Sequence, residues 1–164
     1  MTSMTIADLT AKIKSGEIDT VVVAMTDMQG RLTGKRIHGS FFLDEVLKHG
    51  TEGCNYLLAV DVDMNTVDGY EMSSWERGYS DFALVPDMDT LRMIDWQEGA
   101  ALVLADVQWL DHTDVVASPR QILRKQVKAL KDAGMEAMCG TELEFVVYKD
   151  TYEEAWNKGY KNLI

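Results

Sequence analysis

The sequence predicts an α+β fold in two parts, a sheet-rich domain over residues 1–116 and the start of a second domain over residues 117–164. Two observations lead to this division. In the first part, β-branched and apolar runs such as residues 20–25 and 100–107 are separated by short helices and polar turns. Near Ser118 the pattern changes to a strong helix start, with a serine cap followed by proline at the first helical position. The second part is too short to bury a core alone.

The first part opens with a short amphipathic helix. Ile6, Leu9 and Ile13 recur at spacings of three and four residues, as they would on one face of a helix. Thr5 can cap this helix and Gly16 ends it. The further elements predicted here are a strand at 20–25, a turn at 27–30, a return strand at 31–37, a helix at 40–48, strands at 82–85 and 100–107, and an extended segment at 91–96.

The second part is predicted to contain a helix, a strand and another helix. The first helix starts after Ser118 and ends at Gly134. Leu123, Val127 and Leu130 form its apolar stripe, which we expect to be buried. The strand is predicted at residues 135–148 and the last helix at residues 152–160.

The composition excludes several classes of partner. The net charge is −11, from 27 acidic and 16 basic residues, so a basic surface for nucleic acid or anionic membranes is not expected. The sequence has no apolar run of 18 residues and begins without a signal-peptide pattern. Cys54 and Cys139 form no CxxC pattern, which favours reduced thiols. We therefore predict a cytoplasmic protein that binds neither nucleic acid nor membrane.

A long polar loop is predicted at residues 61–80, and loops of this length are usually functional or disordered. Within it, Asp61, Asp63 and Asn65 match the first three ligand spacings of a calcium loop. The glycine and the closing glutamate of such a loop are missing, so we do not expect calcium to bind there.

The segment from Gly30 to Lys35 has some likeness to a phosphate-binding loop. Its two glycines, Gly30 and Gly34, are one residue too close for that motif, and Arg36 stands where serine or threonine should follow the lysine. We interpret the segment as a hairpin whose cationic side chains are solvated.

A pair of carboxylates at residues 142 and 144 is the clearest candidate for chemistry. On a strand, Glu142 and Glu144 share one face, and the apolar residues between and after them share the other. Two carboxylates on one face repel each other unless a cation or solvent lies between them, and Mg²⁺ prefers such oxygen ligands. The alternative for this pair is the solvated face of an antiparallel strand.

Four segments along the chain form an ordered set. They are D-x-x-G-x-x-x-G-K at residues 27–35, V-D-G at 67–69 followed by Trp75 and the S-D…P-D..T run at 80–91, P-R..L at 119–123, and G-x-E-x-E-F at 140–145. In this order, the segments resemble the glutamine synthetase family along nearly the whole chain.

The resemblance implies a β-grasp-like N-terminal domain, then the truncated start of an α/β glutamine synthetase catalytic domain, in a homo-oligomeric ring with active sites between subunits. It implies an ATP-dependent ligase. ATP phosphorylates the γ-carboxylate of glutamate, and ammonia or another small amine then displaces the phosphate. Mg²⁺ or Mn²⁺ would be the cofactor, with Glu142 and Glu144 each binding one of two metal ions and Glu142 assigned to cofactor binding. Asp68, from the neighbouring subunit's loop, would bind ammonium and help to remove a proton.

One position departs from the family pattern. Tyr70 and Glu71 follow Asp68-Gly69, where the best-known members of the family have two serines. A larger amine, as in the γ-glutamylpolyamine ligases of the same family, is therefore an alternative to ammonia. Since Ile164 precedes the family's remaining metal and phosphate ligands, we expect no ligase activity from these 164 residues alone. The other alternative is a non-catalytic relative that acts as a regulatory or assembly module.

Overall fold

A five-stranded mixed sheet forms the centre of the computed structural model, which describes residues 3–76 and 78–164. The strand order is β2-β1-β5-β4-β3. The strands are β1 (Thr20–Thr26), β2 (Leu32–His38), β3 (Thr51–Cys54), β4 (Asp81–Met93) and β5 (Ala100–Gln108). β1 and β5 are parallel, and the other neighbouring strands are antiparallel. The predicted α+β class is confirmed, and the predicted hairpin of residues 20–37 is present as β1 and β2.

Helical segments flank the sheet. They are α1 (Ile6–Ser15), a continuous segment made of α2 (Gly39–Phe41), a π-helical turn (Phe42–Val46) and α3 (Leu47–His49), then α4 (Pro119–Asp132) and α5 (Tyr152–Asn157). Thr5 caps α1 by accepting a hydrogen bond from the Asp8 amide, and Gly16 ends it with a φ of 79°. The predictions for α1 and for the helix at residues 40–48 are therefore confirmed. Among the described residues, no helix combines the length and apolar character needed to cross a membrane.

The core lies between one face of the sheet and the first two helical segments. Val21, Val23 and Met25 alternate along β1, share one face and are fully buried. They belong to one apolar cluster with Leu9 of α1 and Phe42 of the π-helical turn. Burying side chains of this size stabilises a fold by about 1.5–3 kcal/mol each. The pattern of the sequence therefore positions both helices against the sheet.

β4 is a single strand with an irregularity where the sequence predicted two separate extended segments. Its pairing with β5 shifts between Asp87 and Arg92. The Thr90 hydroxyl occupies this irregularity, accepting a hydrogen bond from the Leu104 amide at 2.8 Å and donating one to the Asp87 carbonyl at 2.6 Å. The short strand β3, which pairs with the first residues of β4, was not predicted.

The turn between β1 and β2 is built around a fully buried carboxylate. Asp27 Oδ1 accepts hydrogen bonds from the amides of Gln29 and Arg31, each at 2.9 Å, and Oδ2 accepts one from Arg31 Nε at 2.8 Å. Burial alone would raise the pKa of Asp27, but these hydrogen bonds and the Arg31 charge hold that pKa below its ordinary value. The prediction of solvated cations is therefore wrong for Arg31, which is paired with a buried charge.

Helix α4 is attached to the sheet by charged side chains. Arg120 Nε donates to Asp106 of β5 at 2.7 Å, and the same guanidinium also bonds Asp87 of β4. Arg124, one turn later, bonds Asp106 as well. Two of the segments that carry the family resemblance, P-D..T and P-R..L, therefore meet through the ion pair of Asp87 with Arg120.

The prediction that the apolar stripe of α4 is buried is wrong. Leu123 is 63% exposed and Val127 is 41% exposed, and Leu130 is partly exposed. Leu123 and Val127 lie on the same side of α4 as the two arginines, and no described element covers these two side chains. The predicted serine cap is also incomplete, because Ser118 occupies the cap position while its buried hydroxyl has no hydrogen-bond partner in the described chain.

The strand predicted at residues 135–148 is not formed. Leu143, Phe145 and Val147, which would bury its apolar face, are 93%, 84% and 79% exposed. A strand needs a neighbour to satisfy its backbone, and the described chain supplies none here. The helix predicted after it is confirmed as α5, which Thr151 caps by accepting a hydrogen bond from the Glu154 amide.

Substitutions at the two glycines of the first hairpin should affect the stability of the fold differently. A methyl group at Gly34 would clash with the Val23 carbonyl oxygen and lie 2.9 Å from Cα of Ala24 across the ladder. Gly30 has open space but a φ of 80°, which asparagine tolerates. We expect Gly34→Ala to lower the free energy of unfolding by about 3 kcal/mol and Gly30→Asn to change it by less than about 0.5 kcal/mol. Urea denaturation measures both, and equal effects would contradict this account.

Asp27 predicts a pH-dependent contribution to stability. Its native pKa is depressed, so its stabilisation is complete above the unfolded pKa of about 3.9 and is lost as the pH falls through the native pKa. We expect Asp27→Asn to lower the unfolding free energy at neutral pH by about 1–3 kcal/mol, since an amide nitrogen would face the Arg31 donor. The difference between parent and variant should shrink as the pH falls from about 6 to about 2. A difference that is constant over this range would contradict the role of the carboxylate.

Candidate active site

A cleft lies along the second half of the loop at residues 61–80. The loop follows a 3-10 turn at Asn55–Leu58 and leads into β4, and its described residues form isolated bridges but none of the sheet strands. The cleft has a volume of about 610 Å³. Its lining residues are Asp68, Gly69, Tyr70, Glu71, Ser74, Trp75 and Glu76. The predicted catalytic residue Asp68 is exposed and lies at this cleft.

Carboxylates and aromatic rings line the cleft together. The carboxylates are those of Asp68, Glu71 and Glu76, and the rings are those of Tyr70 and Trp75. Trp75 is 79% exposed and forms an edge-to-face pair with Tyr79, with the ring centroids 5.5 Å apart. Negative charge next to aromatic rings is an environment that attracts a cation. The cleft is therefore suited to an amine in its ammonium form.

The beginning of the loop is a tight turn built by Asp61. Its Oδ1 accepts hydrogen bonds from the amides of Asp63 and Asn65, each at 2.9 Å, and its carboxylate also bonds the Asn65 side chain. The side-chain hydrogen bond from Asn65, followed by the backbone ones, holds the pKa of Asp61 below its ordinary value. This carboxylate therefore folds the loop.

The end of the loop is held by a buried asparagine. The Asn55 side-chain amide donates to the Met72 carbonyl at 3.0 Å, and the Asn55 backbone amide donates to the Ser80 carbonyl at 2.8 Å. Tyr56 follows in the chain and forms an edge-to-face pair with Tyr79, with the ring centroids 5.9 Å apart. Residues 68–71 are therefore the part of the loop that lies between fixed ends.

The predicted metal ligands lie in a different part of the chain from Asp68. Glu142 and Glu144 are exposed, in the segment that forms no strand. Neither is among the residues that line the cleft of Asp68. Within residues 3–76 and 78–164, no group of three or more histidine, cysteine, aspartate or glutamate side chains is arranged to hold a metal ion. The role of the pair as metal ligands remains a prediction.

The contacts of three residues that shape this site were not predicted from the sequence. Trp75 and Tyr70 provide the aromatic lining of the cleft, and Arg31 contacts the loop from the first hairpin. For Arg31, the sequence did offer a signal. Asp27 lies four residues earlier, on the other side of a turn, where it can form an ion pair with Arg31. For Tyr70 and Trp75, exposed positions in a polar loop gave no sign that the rings line one cleft.

Comparison with known proteins gives consistent matches. The family model for the glutamine synthetase catalytic domain matches residues 116–163. The chain is 60% identical over 158 residues to a γ-glutamylethanolamide synthetase of Streptomyces coelicolor, covering 96% of this chain and 34% of that protein. It is 36% identical over 139 residues to a glutamate–isopropylamine ligase of a Pseudomonas species, covering 85% of this chain and 30% of that protein.

A solved structure shows the same fold. It is described as a novel glutamine synthase homolog and superimposes with a TM-score of 0.61 at 19% identity, covering 71% of this chain and 27% of that one. The chain thus spans about a third of the length of the curated relatives it matches. Together with the 60% identity over nearly all of its residues, these matches establish that the chain belongs to the glutamine synthetase family.

Proposed function

We propose that this chain is the N-terminal part of an ATP-dependent ligase that joins the γ-carboxyl group of glutamate to a small primary amine. The observation that carries the proposal is the 60% identity, over 96% of the chain, to a γ-glutamylethanolamide synthetase. A second relative is named for isopropylamine, which is also a small primary amine. The aromatic and acidic cleft at residues 68–76 supports an organic ammonium ion as the acceptor, since ammonium itself has no carbon atoms to pack on the rings.

The proposed reaction has two steps. An oxygen of the glutamate γ-carboxylate attacks the terminal phosphorus of ATP, ADP leaves, and an acyl phosphate forms. The amine nitrogen then attacks the acyl carbon, and inorganic phosphate leaves with the oxygen. An ammonium ion cannot attack until it loses a proton, so a carboxylate such as Asp68 both attracts the cation and accepts that proton. Exposed in the cleft, the Asp68 side chain is accessible for this role.

The carboxylates of Glu142 and Glu144 supply the oxygen ligands that Mg²⁺ or Mn²⁺ prefers. Each glutamate fits part of a coordination shell, whose other ligands would come from the nucleotide and further residues. In the proposed enzyme, each glutamate binds one metal ion, and Glu142 contributes to the nucleotide site. A bound metal ion supplies positive charge against the phosphoryl group that is transferred.

We further propose a β-grasp-like domain over residues 1–116 and a catalytic domain that begins at residue 117. The parallel pairing of β1 with β5, flanked by antiparallel strands, supports the first part of this proposal. We also propose a homo-oligomeric ring in which the loop of one subunit completes the site of the next. The described lining of the Asp68 cleft comes from one short segment, so another surface is needed to enclose a substrate there.

The acceptor prediction is tested by amine-dependent phosphate release from the full-length protein. With a panel of ammonium, ethanolamine, isopropylamine and polyamines, we expect kcat/KM to be highest for a small primary organic amine. Asp68→Asn should lower kcat/KM for that amine by about 10²-fold, because the proton acceptor is lost. Glutamate-dependent ADP formation without amine should be retained.

Asp63→Asn is the matched control, since Asp63 is an exposed aspartate of the same loop outside the cleft lining. Its kinetics should match those of the parent. If the parent releases no phosphate with any amine, the ligase proposal is wrong and a non-catalytic module is favoured. Normal amine kinetics in Asp68→Asn would remove Asp68 from the site.

The metal prediction is tested with Glu142→Gln and Glu144→Gln in the full-length protein. Each change removes a negatively charged ligand, and we expect activity at limiting Mg²⁺ to fall by on the order of 10²-fold or more. The melting temperature without metal should change little, because both side chains are exposed. Glu136→Gln, an exposed glutamate of the same segment, is the control. If both variants keep full activity at limiting Mg²⁺, the pair is a solvated surface.

A further inference from the structure

Arg31 joins the first hairpin to the loop of the candidate site. Its Nε donates to Asp27, its Nη1 donates to the Val62 carbonyl at 2.6 Å, and its Nη2 lies 3.2 Å from the Asp61 carbonyl oxygen. The two carbonyl groups are 30 and 31 residues away in the sequence. One guanidinium group therefore fixes the relative position of two distant segments.

Gln29 adds a second bond to the same place. Its side-chain amide donates to the Val60 carbonyl at 2.9 Å, and its Oε1 accepts a hydrogen bond from Arg31 Nη2 at 3.2 Å. The carbonyl groups of Val60, Asp61 and Val62 are therefore all bound by two side chains of one turn. Three consecutive directional bonds specify where this backbone lies and how it is oriented.

A short hairpin within the loop connects these carbonyl groups to Asp68, so their position determines where Asp68 lies. The Asp61 amide donates to the Asn65 carbonyl at 2.9 Å, and Val60 pairs with Thr66 in an antiparallel bridge. The Val67 amide donates to the Ala59 carbonyl at 2.9 Å. Asp68 is the next residue. A shift of the backbone at residues 60–62 would therefore move the start of the cleft.

We propose that Arg31 is a positioning residue for the amine-binding side of the active site, acting through the backbone at residues 60–62 to place Asp68. This inference rests on the proposed function, since it assigns the loop to the amine acceptor. Arg31 is one-third exposed and paired with Asp27, and it is not among the residues that line the cleft. Its effect on the reaction is therefore through geometry.

A planar, forked donor is suited to this task. Arginine can donate to Asp27 and to two carbonyl groups at once from fixed directions, whereas lysine offers one compact ammonium group. Arg31→Lys keeps the charge next to the buried carboxylate but cannot maintain all the bonds. Gln29→Met keeps the Asp27–Arg31 pair intact and removes the bond to Val60. These two variants weaken the loop attachment without leaving a buried charge unpaired.

The test measures each substrate separately in the full-length protein. For Arg31→Lys we expect kcat/KM for the preferred amine to fall by on the order of 10²-fold, since a misplacement of about 1 Å has that effect on reaction. Gln29→Met should lower the same constant by a smaller factor. The KM values for ATP and glutamate, and glutamate-dependent ADP formation without amine, should stay within about twofold of the parent.

Arg36→Ala is the control, because Arg36 is exposed on β2 and forms no ion pair in the described part of the chain. Its amine kinetics should equal those of the parent. Unchanged amine kinetics in both Arg31→Lys and Gln29→Met would overturn the proposal. A uniform loss for all substrates with a lower melting temperature would also overturn it, since that is the result of a purely structural role. A parent protein without amine-dependent phosphate release would instead overturn the proposed function on which the inference rests.

Discussion

The parallel pairing of β1 with β5 is the constraint on which the rest of this structure depends. Parallel neighbours cannot be joined by a tight turn, so the chain between Thr26 and Ala100 must return to the starting end of the sheet. That connection contains β2, the helical segment, β3, the site loop and β4. The loop with Asp68 is therefore part of a crossover whose two ends are fixed by the most buried strands of the sheet.

Aspartate–arginine pairs attach the parts of the molecule that the apolar core does not hold. Arg31 with Asp27 attaches the site loop, and Arg120 with Asp106 and Asp87 attaches α4. Such pairs contribute little net stability when the loss of hydration is included, but they are directional. Apolar contacts alone would allow a loop or a helix to slide or rotate. The charged pairs instead select one orientation of the loop and of the helix.

Local patterns in the sequence were sufficient to predict much of the N-terminal part. Alternation along β1 and the cap at Thr5 are local properties, and the structure shows both. The parallel register of β1 with β5, in contrast, depends on contacts across more than 70 residues, and no local pattern in the sequence predicts it. The strand predicted at residues 135–148 shows the converse. Its alternation is clear in the sequence, but a strand forms only beside another strand.

The residues of the candidate site that belong to a sequence motif could be predicted. The contacts between residues that are distant in the sequence could not. Asp68 was selected by its family segment and does lie at a cleft. The contact of Arg31 with the Asp61 and Val62 carbonyl groups could not be predicted, because backbone acceptors look the same at every position of a sequence. The pairing of Asp87 with Arg120 is similar, since neither segment indicates its partner.

The charge of the cleft also limits where the other proposed substrates can bind. ATP and glutamate are anions, and a cleft lined by the carboxylates of Asp68, Glu71 and Glu76 would repel them. In the proposed enzyme, the acyl phosphate would therefore form away from this cleft, on a surface where cations offset its charge. Glu142 and Glu144 are suited to such a surface only with bound metal ions. In the proposed enzyme, the acidic loop and the surface for the anionic substrates would be separate regions, and the attachment of the loop to the first hairpin through Arg31 would hold Asp68 in position.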